Sequence, residues 1–99
     1  MRDMDLTLQA ARVIRIFLED PAKPRYGFEL MNLARLSSGT LYPMLARFER
    51  AGWLAGSPEN PQNVNPLRAG RPPRRVYTIT DEALPVARAK LAALSEEFR

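Results

Sequence analysis

Residues 37–52 read SSGTLYPMLARFERAG, and this segment is the most informative part of the chain. A serine at its start can accept hydrogen bonds from the free amides of a first helical turn, and Gly52 is suited to end a helix. Four apolar residues recur at helical spacing between these ends: Leu41, Met44, Leu45 and Phe48. The segment therefore predicts a helix with one buried face, and Pro43 predicts an irregular or tightened first turn.

The opposite arc of this helix carries small or flat residues, hydroxyls and arginines: Gly39, Thr40, Tyr42, Pro43, Ala46, Arg47 and Arg50. Small residues let a helix approach base edges closely, while hydroxyl and guanidinium groups bind phosphates or guanine. An ordinary amphipathic helix is the alternative reading. A solvated helix would normally show more lysine and glutamate, so the arc favours a DNA contact.

Two helices are predicted before this segment. Apolar residues at helical spacing indicate a first helix over residues 6–18, capped by Asp5 and ended by the prolines of residues 20–24. A shorter second helix is predicted from about Tyr26 to Ala34, with a buried set that includes Phe28, Leu33 and either Leu30 or Met31.

Two strands and a last helix are predicted after it. Residues 53–55 and 75–79 read as partner strands, and residues 56–73 read as a long connection with a flexible wing at 57–70. A helix over residues 81–98 follows. This order predicts one domain over residues 1–99, mainly α with a small β-hairpin: a winged helix-turn-helix with a C-terminal dimerisation helix.

The excess positive charge of the chain is concentrated in one segment, residues 60–80. The formal net charge is +4, and residues 60–80 contain four arginines and no acid: Arg68, Arg71, Arg74 and Arg75. The remaining chain has eleven basic and eleven acidic residues, because 15 minus 4 is 11. This local excess of basic residues is typical of a surface that binds a polyanion such as DNA. A solvated basic loop is the alternative reading.

Several residue types are missing. The chain has no cysteine and no histidine, which excludes disulfides, the usual zinc ligands and imidazole or thiolate catalysis. A carboxylate pair or an activated lysine is the alternative, but the acids are scattered without a catalytic spacing. We therefore expect no enzyme, no metal site and no cofactor. The longest apolar run near the N-terminus is interrupted by Arg15 and is too short for a membrane span or a signal peptide. We therefore expect no membrane partner and a cytoplasmic, nucleoid-associated location.

Three blocks resemble the PadR family of transcription regulators. They are residues 26–30 (YGFEL), residues 38–54 (SGTLYPMLARFERAGWL) and residues 70–80 (GRPPRRVYTIT). The resemblance implies dimeric repressors with an interface built by the N- and C-terminal helices, and a candidate small aromatic effector. It also implies groove-contacting residues and a basic wing: Ser38, Gly39, Thr40, Tyr42 and Pro43 for the groove, and Arg71, Arg74 and Arg75 for the wing.

Two further positions have alternative interpretations. Tyr26 opens the second helix and is a candidate phosphate contact, with local capping as the alternative. Trp53 follows a helix end and is interpreted as a core residue rather than as the wall of a ligand site.

Apolar stripes on the terminal helices predict a homodimer. The last helix repeats apolar residues at heptad spacing, and the first helix carries a matching set; the interface residues predicted from both are Val13, Phe17, Leu84, Leu91, Leu94 and Phe98. Packing of the last helix on its own domain is the alternative.

Together these features predict a sequence-specific regulator, most simply a repressor, that binds a pseudo-palindromic operator in double-stranded DNA as a homodimer. The alternative is a winged-helix architectural or protein-interaction module that reads no sequence.

Overall fold

A computed structural model of the protein describes residues 1–60, Leu67, Gly70 and residues 74–97. These residues form four helices and three strands: α1 (Leu8–Glu19), β1 (Arg25–Tyr26), α2 (Gly27–Ala34), α3 (Ser38–Arg50), β2 (Leu54–Pro58), β3 (Arg75–Ile79) and α4 (Ala83–Glu97). The predicted fold class, mainly helical with a β-hairpin after the third helix, is confirmed.

Helix α1 begins two residues later than expected. The hydroxyl of Thr7 accepts a hydrogen bond from the amide of Ala10 at 3.1 Å, so Thr7 is the N-cap and the prediction of Asp5 was wrong. A threonine also precedes α4, where the hydroxyl of Thr80 accepts from the amide of Ala83, the first residue of that helix, at 3.3 Å. Both hydroxyls satisfy amides that have no partner within their helix.

Helix α3 begins at the serines and ends before Gly52, as predicted, but the predicted serine cap was wrong. The side chain of the N-cap residue Ser37 accepts no hydrogen bond from the first turn, and its hydroxyl instead donates to the hydroxyl of Thr40 at 3.3 Å. The first turn of α3 is tightened, since the amides of Thr40 and Leu41 both donate to the carbonyl of Ser37, at 3.2 and 2.9 Å. At the other end Gly52 adopts φ +80°, and the amide of Trp53 reaches back to the carbonyl of Phe48 at 2.9 Å. Glycine takes this left-handed conformation without steric cost, which turns the chain directly into β2.

The sheet contains a strand that the sequence pattern did not indicate. β1 pairs antiparallel with β3, and β3 pairs antiparallel with β2, so the strand order is β1-β3-β2. Only two residues form β1, Arg25 opposite Tyr77 and Tyr26 opposite Val76. This strand anchors the start of α2 to the base of the hairpin.

The core lies between α1, α2, α3 and the inner face of the sheet. Its largest fully buried side chains are Trp53, Phe17, Phe48, Ile14, Leu30, Leu41, Leu45 and Val13. Trp53 is thus a core residue, as predicted. The burial predicted for Phe28 and Leu33 was wrong, because 46% of Phe28 and 55% of Leu33 is exposed.

A buried arginine joins α1 to α2. Arg25 is 6% exposed, and its guanidinium forms an ion pair with Glu29 at 3.1 Å and donates to the carbonyl of Ile16 at 3.3 Å. Glu29 in turn accepts from the amide of Tyr26 at 3.3 Å. This network fixes the start of α2.

The N-terminal residues are bound to the domain. The indole Nε1 of Trp53 donates to the carbonyl of Arg2 at 2.7 Å, and the amide of Arg2 donates to the carbonyl of Ala51 at 2.7 Å. Asp3 forms an ion pair with Lys90 of α4 at 2.9 Å, and hydrogen bonding to this lysine lowers the pKa of Asp3. The segment before α1 therefore closes the core over Trp53.

Within the described residues, no helix combines the length and apolar character that a membrane crossing requires.

Candidate nucleic-acid interface

Helix α3 presents an exposed arc that contains most of the predicted groove-contacting residues. Ser38, Gly39, Pro43 and Arg47 are exposed and Thr40 is half-buried, while the apolar face of the helix is fully covered. Arg50 is exposed as well. The arc is thus free to meet a ligand.

Two residues make the backbone of this arc accessible. Pro43 lies inside α3 and has no amide proton, so the carbonyl of Gly39 cannot receive the usual helical bond from it. Gly39 has no side chain, and a Cβ atom built on it would meet no atom within 4 Å. The start of α3 therefore offers both a close backbone approach and a carbonyl acceptor.

Tyr42 lies at the edge of the arc and faces α2. Its side chain is 44% exposed, and its ring covers the backbone of Gly27, which is buried. A Cβ atom on Gly27 would lie 2.8 Å from the Cε1 and Cζ atoms of that ring. The absence of a side chain at Gly27 thus sets the position of Tyr42.

We expect Gly27→Ala to displace the Tyr42 ring. Because the ring can rotate toward solvent, the loss of unfolding free energy should be small, about 1 kcal/mol, at the lower end for overpacking. DNA affinity should fall by about tenfold or more if Tyr42 makes a direct contact. Urea unfolding and DNA titration measure the two effects separately.

Gly39→Ala is the matched control for stability, since a Cβ atom there meets nothing and alanine favours helix. Unchanged DNA affinity in Gly27→Ala would show that the position of Tyr42 does not matter for binding.

The base of the wing is closed by Glu59 and Arg74. The amide of Glu59 donates to the carbonyl of Arg74 at 2.7 Å, and the amide of Arg74 donates to the carboxylate of Glu59 at 3.1 Å. Glu59 is only 6% exposed. The Arg74 guanidinium lies over the ring of Phe28, 4.7 Å from its centre. A cation–π contact of this kind orients the guanidinium while leaving its donors free for an anion.

Arg75 also lies on the surface, but its guanidinium is paired. Its Nη2 atom is 3.2 Å from the carboxylate of Glu49 in α3. The predicted wing residues Arg68 and Arg71 lie outside the described residues.

Tyr26 belongs to the same face, where it has a structural role. Its ring stacks on Phe28 with centroids 5.4 Å apart, and hydrogen bonding to the carboxylate of Glu59 raises the pKa of its hydroxyl. Burial is the main cause that raises the pKa of Tyr77. Both hydroxyls therefore stay protonated at neutral pH.

These side chains enclose a recess of about 370 Å³ between α2, α3 and the sheet. It is lined by Tyr26, Gly27, Phe28, Tyr42, Arg74, Arg75 and Tyr77. Phe28 and Glu49 were not among the predicted site residues. The recess is aromatic and cationic, a combination suited to phosphate or to a planar anion.

The predicted dimer residues fall into three groups. Val13 and Phe17 are 0% exposed in the core of the chain itself, so they offer no surface to a partner, and this part of the prediction is corrected. Leu84, Leu91 and Leu94 are half-buried. Phe98 lies outside the described residues.

A second recess, of about 480 Å³, runs between α1 and α4. It is lined by Leu8, Ala11, Arg12, Arg15, Leu91, Leu94 and Ser95. The predicted interface residues of α1, Val13 and Phe17, do not line this recess. The face of α1 that does line it includes Leu8, whose side chain is 61% exposed.

Comparison with known proteins gives one family match. The model of the transcriptional regulator PadR-like family matches residues 17–83. No curated protein matches the chain.

The fold is similar to that of solved transcription regulators. AbfR of Staphylococcus epidermidis is 27% identical, with a TM-score of 0.61, over 89% of this chain and 52% of that one. Reduced AbfR bound to DNA is 24% identical, with a TM-score of 0.68, over 92% and 58%. The PcaV transcriptional regulator from Streptomyces coelicolor is 22% identical, with a TM-score of 0.69, over 91% and 58%. The chain thus spans less than two thirds of the length of each.

Proposed function

Since this chain belongs to the transcriptional regulator PadR-like family, we propose that it regulates transcription by binding double-stranded DNA in a sequence-specific manner. The family and the structural neighbours are transcription regulators, not enzymes. Helix α3 would enter the major groove, which accommodates a single helix. The observation that carries the proposal is the exposed arc of α3, which has small residues at its start and arginines toward its end.

The wing supports a second contact. Arg74 is exposed next to Glu59, and residues 60–73 of the connection carry Arg68 and Arg71 and no acid. A cationic hairpin beside the recognition helix would bind the phosphates that flank the groove. In this arrangement α3 supplies the sequence preference and the wing supplies affinity.

Binding as a homodimer is part of the proposal. The recess between α1 and α4 combines an exposed leucine, Leu8, with the half-buried Leu91 and Leu94. A second copy related by a two-fold axis would cover this apolar surface. The dimer would present two α3 helices to half-sites about one helical turn apart, as a pseudo-palindromic operator does.

The proposed regulation is repression, in the cytoplasm. A bound dimer would occupy the groove and so exclude other proteins from the operator. The small aromatic effector implied by the family would fit the recess beside Tyr42, where it would compete with DNA for the same side chains.

Selection of bound fragments from random DNA, followed by competition at fixed salt concentration, tests the proposal. A sequence-specific regulator should prefer the selected sequence over bulk DNA by about a thousandfold or more. Equal affinity for selected and bulk DNA would instead support the architectural module.

A further inference from the structure

An ion pair links α3, the helix proposed to enter the major groove, to β3, the strand that follows the wing. Glu49 lies in the last turn of α3, and Arg75 is the first residue of β3. The Nη2 atom of Arg75 is 3.2 Å from Oε2 of Glu49 and 3.5 Å from its Oε1. The two residues are 26 positions apart in the sequence, so their contact fixes one element relative to the other.

The sheet leaves space for this pair. Gly56 of β2 lies beside it, and a Cβ atom there would be 2.7 Å from Nη2 of Arg75 and 2.8 Å from Oε1 of Glu49. Both distances are too short for real contacts, so any other residue at position 56 would push the pair apart. The ion pair therefore depends on three elements that meet at one point.

The pair leaves part of Arg75 accessible. The side chain of Arg75 is 51% exposed, that of Glu49 is 29% exposed, and the guanidinium also lies 5.9 Å from the ring centre of Tyr77. A guanidinium has five N–H donors, of which the carboxylate uses only those on Nη2. A DNA phosphate could thus bind the guanidinium of Arg75, either in place of the Glu49 carboxylate or beside it. In both cases the phosphate must approach the negative charge of Glu49.

We infer that Glu49 is a positioning residue that determines specificity by withholding Arg75 from nonspecific phosphate contacts. This inference rests on the proposed DNA binding. When α3 does not lie in a matching major groove, the carboxylate of Glu49 holds Arg75 against the helix and repels the phosphate backbone of the DNA. When α3 is seated, the same contact keeps the wing at the angle that the flanking phosphates require. Glu49 thus weakens binding to random DNA more than binding to the operator.

Glu49→Gln tests the inference, because it removes the charge and keeps the shape. Affinity for random DNA should rise by up to about fivefold, the value of an exposed ion pair. The slope of log affinity against log salt concentration should steepen by about 0.9, as expected for one additional phosphate contact. The ratio of operator to random affinity should fall.

Glu19→Gln in α1 is the matched control, since it changes the net charge equally at a position away from the wing. Glu49→Asp keeps the charge but shortens the side chain, and it should also lower the ratio if the contact itself matters. In a background of Arg75→Ala, the effect of Glu49→Gln on the slope should disappear. Unfolding measurements on each variant confirm that the domain is intact.

The inference is overturned if Glu49→Gln matches Glu19→Gln in slope and in the ratio of affinities. A wild-type protein that prefers no sequence would overturn the proposed function as well. A wild-type protein with a clear operator preference that Glu49→Gln leaves unchanged would overturn only the role of Glu49.

Discussion

Replacing Leu91 and Leu94 together by aspartate is expected to separate the proposed dimer into monomers and to abolish operator binding at low concentration. Both side chains line the recess between α1 and α4, where a second copy would bury them. Each buried leucine contributes roughly 1.5–3 kcal/mol, and two facing carboxylates would add repulsion across the two-fold axis. A monomer would bind only one of the two half-sites. Its operator affinity should be lower by at least about a hundredfold, since the intact dimer is expected to prefer the operator over bulk DNA by 10³ or more.

The controls separate dissociation from unfolding. Aspartates at Ala92 and Ala93 place the same charges on exposed positions of α4, and should leave the dimer intact. Leu8→Asp attacks the recess from α1 at a side chain that is 61% exposed, so it should dissociate the dimer without disturbing the core. Sedimentation at micromolar concentration measures the outcome. A wild-type monomer of 11.2 kDa with full operator affinity would contradict the interface and the palindrome together.

Removing the wing arginines is the second change with a large expected effect. Alanine at positions 71, 74 and 75 should weaken binding to all DNA sequences and flatten its salt dependence, since each lost phosphate contact changes the log–log slope by about 0.9. Arg75 is already paired with Glu49. We therefore expect the slope to change by about 1.8, the value for two lost phosphate contacts, and not by the value for three.

Titration of operator and random DNA across a range of salt concentrations measures both quantities. Lys23→Ala with Arg88→Ala is a matched control, because these two exposed basic residues line neither of the two recesses. An unchanged affinity and slope in the triple variant would remove the wing from the binding mechanism.

Local patterns in the sequence predicted the parts of the fold that neighbouring residues determine. The apolar face of α3 and the turn at Gly52 depend on residues within a few positions of each other, and both were correct. The burial of Trp53 follows from its place directly after that turn.

The errors concern features that distant residues determine. The strand β1 exists because Arg25 and Tyr26 meet β3 about fifty positions later, and two residues carry no periodicity of their own. Helical spacing identified the apolar face of α1, but it could not show whether that face meets the core of the same chain or a partner. The structure buries Val13 and Phe17 in the core and leaves Leu8 outside.

The candidate site shows the same division. The exposed arc of α3 could be predicted by counting positions along one helix. The pairing of Glu49 with Arg75, and the position of Phe28 beneath Arg74, join elements from different parts of the chain. An acid in a basic region gives no signal in the sequence that it holds a particular arginine.

The buried position of Trp53 gives the protein an intrinsic fluorescence probe. It is the single tryptophan of the chain, it is fully buried, and its indole is bonded to the carbonyl of Arg2 and lies 5.7 Å from the ring of Phe48. Its emission should therefore be blue-shifted in the native state and move to longer wavelength when the domain opens. Since the indole is fully buried and does not line the recess beside Tyr42, the emission maximum reports the integrity of each variant independently of whether that variant binds DNA.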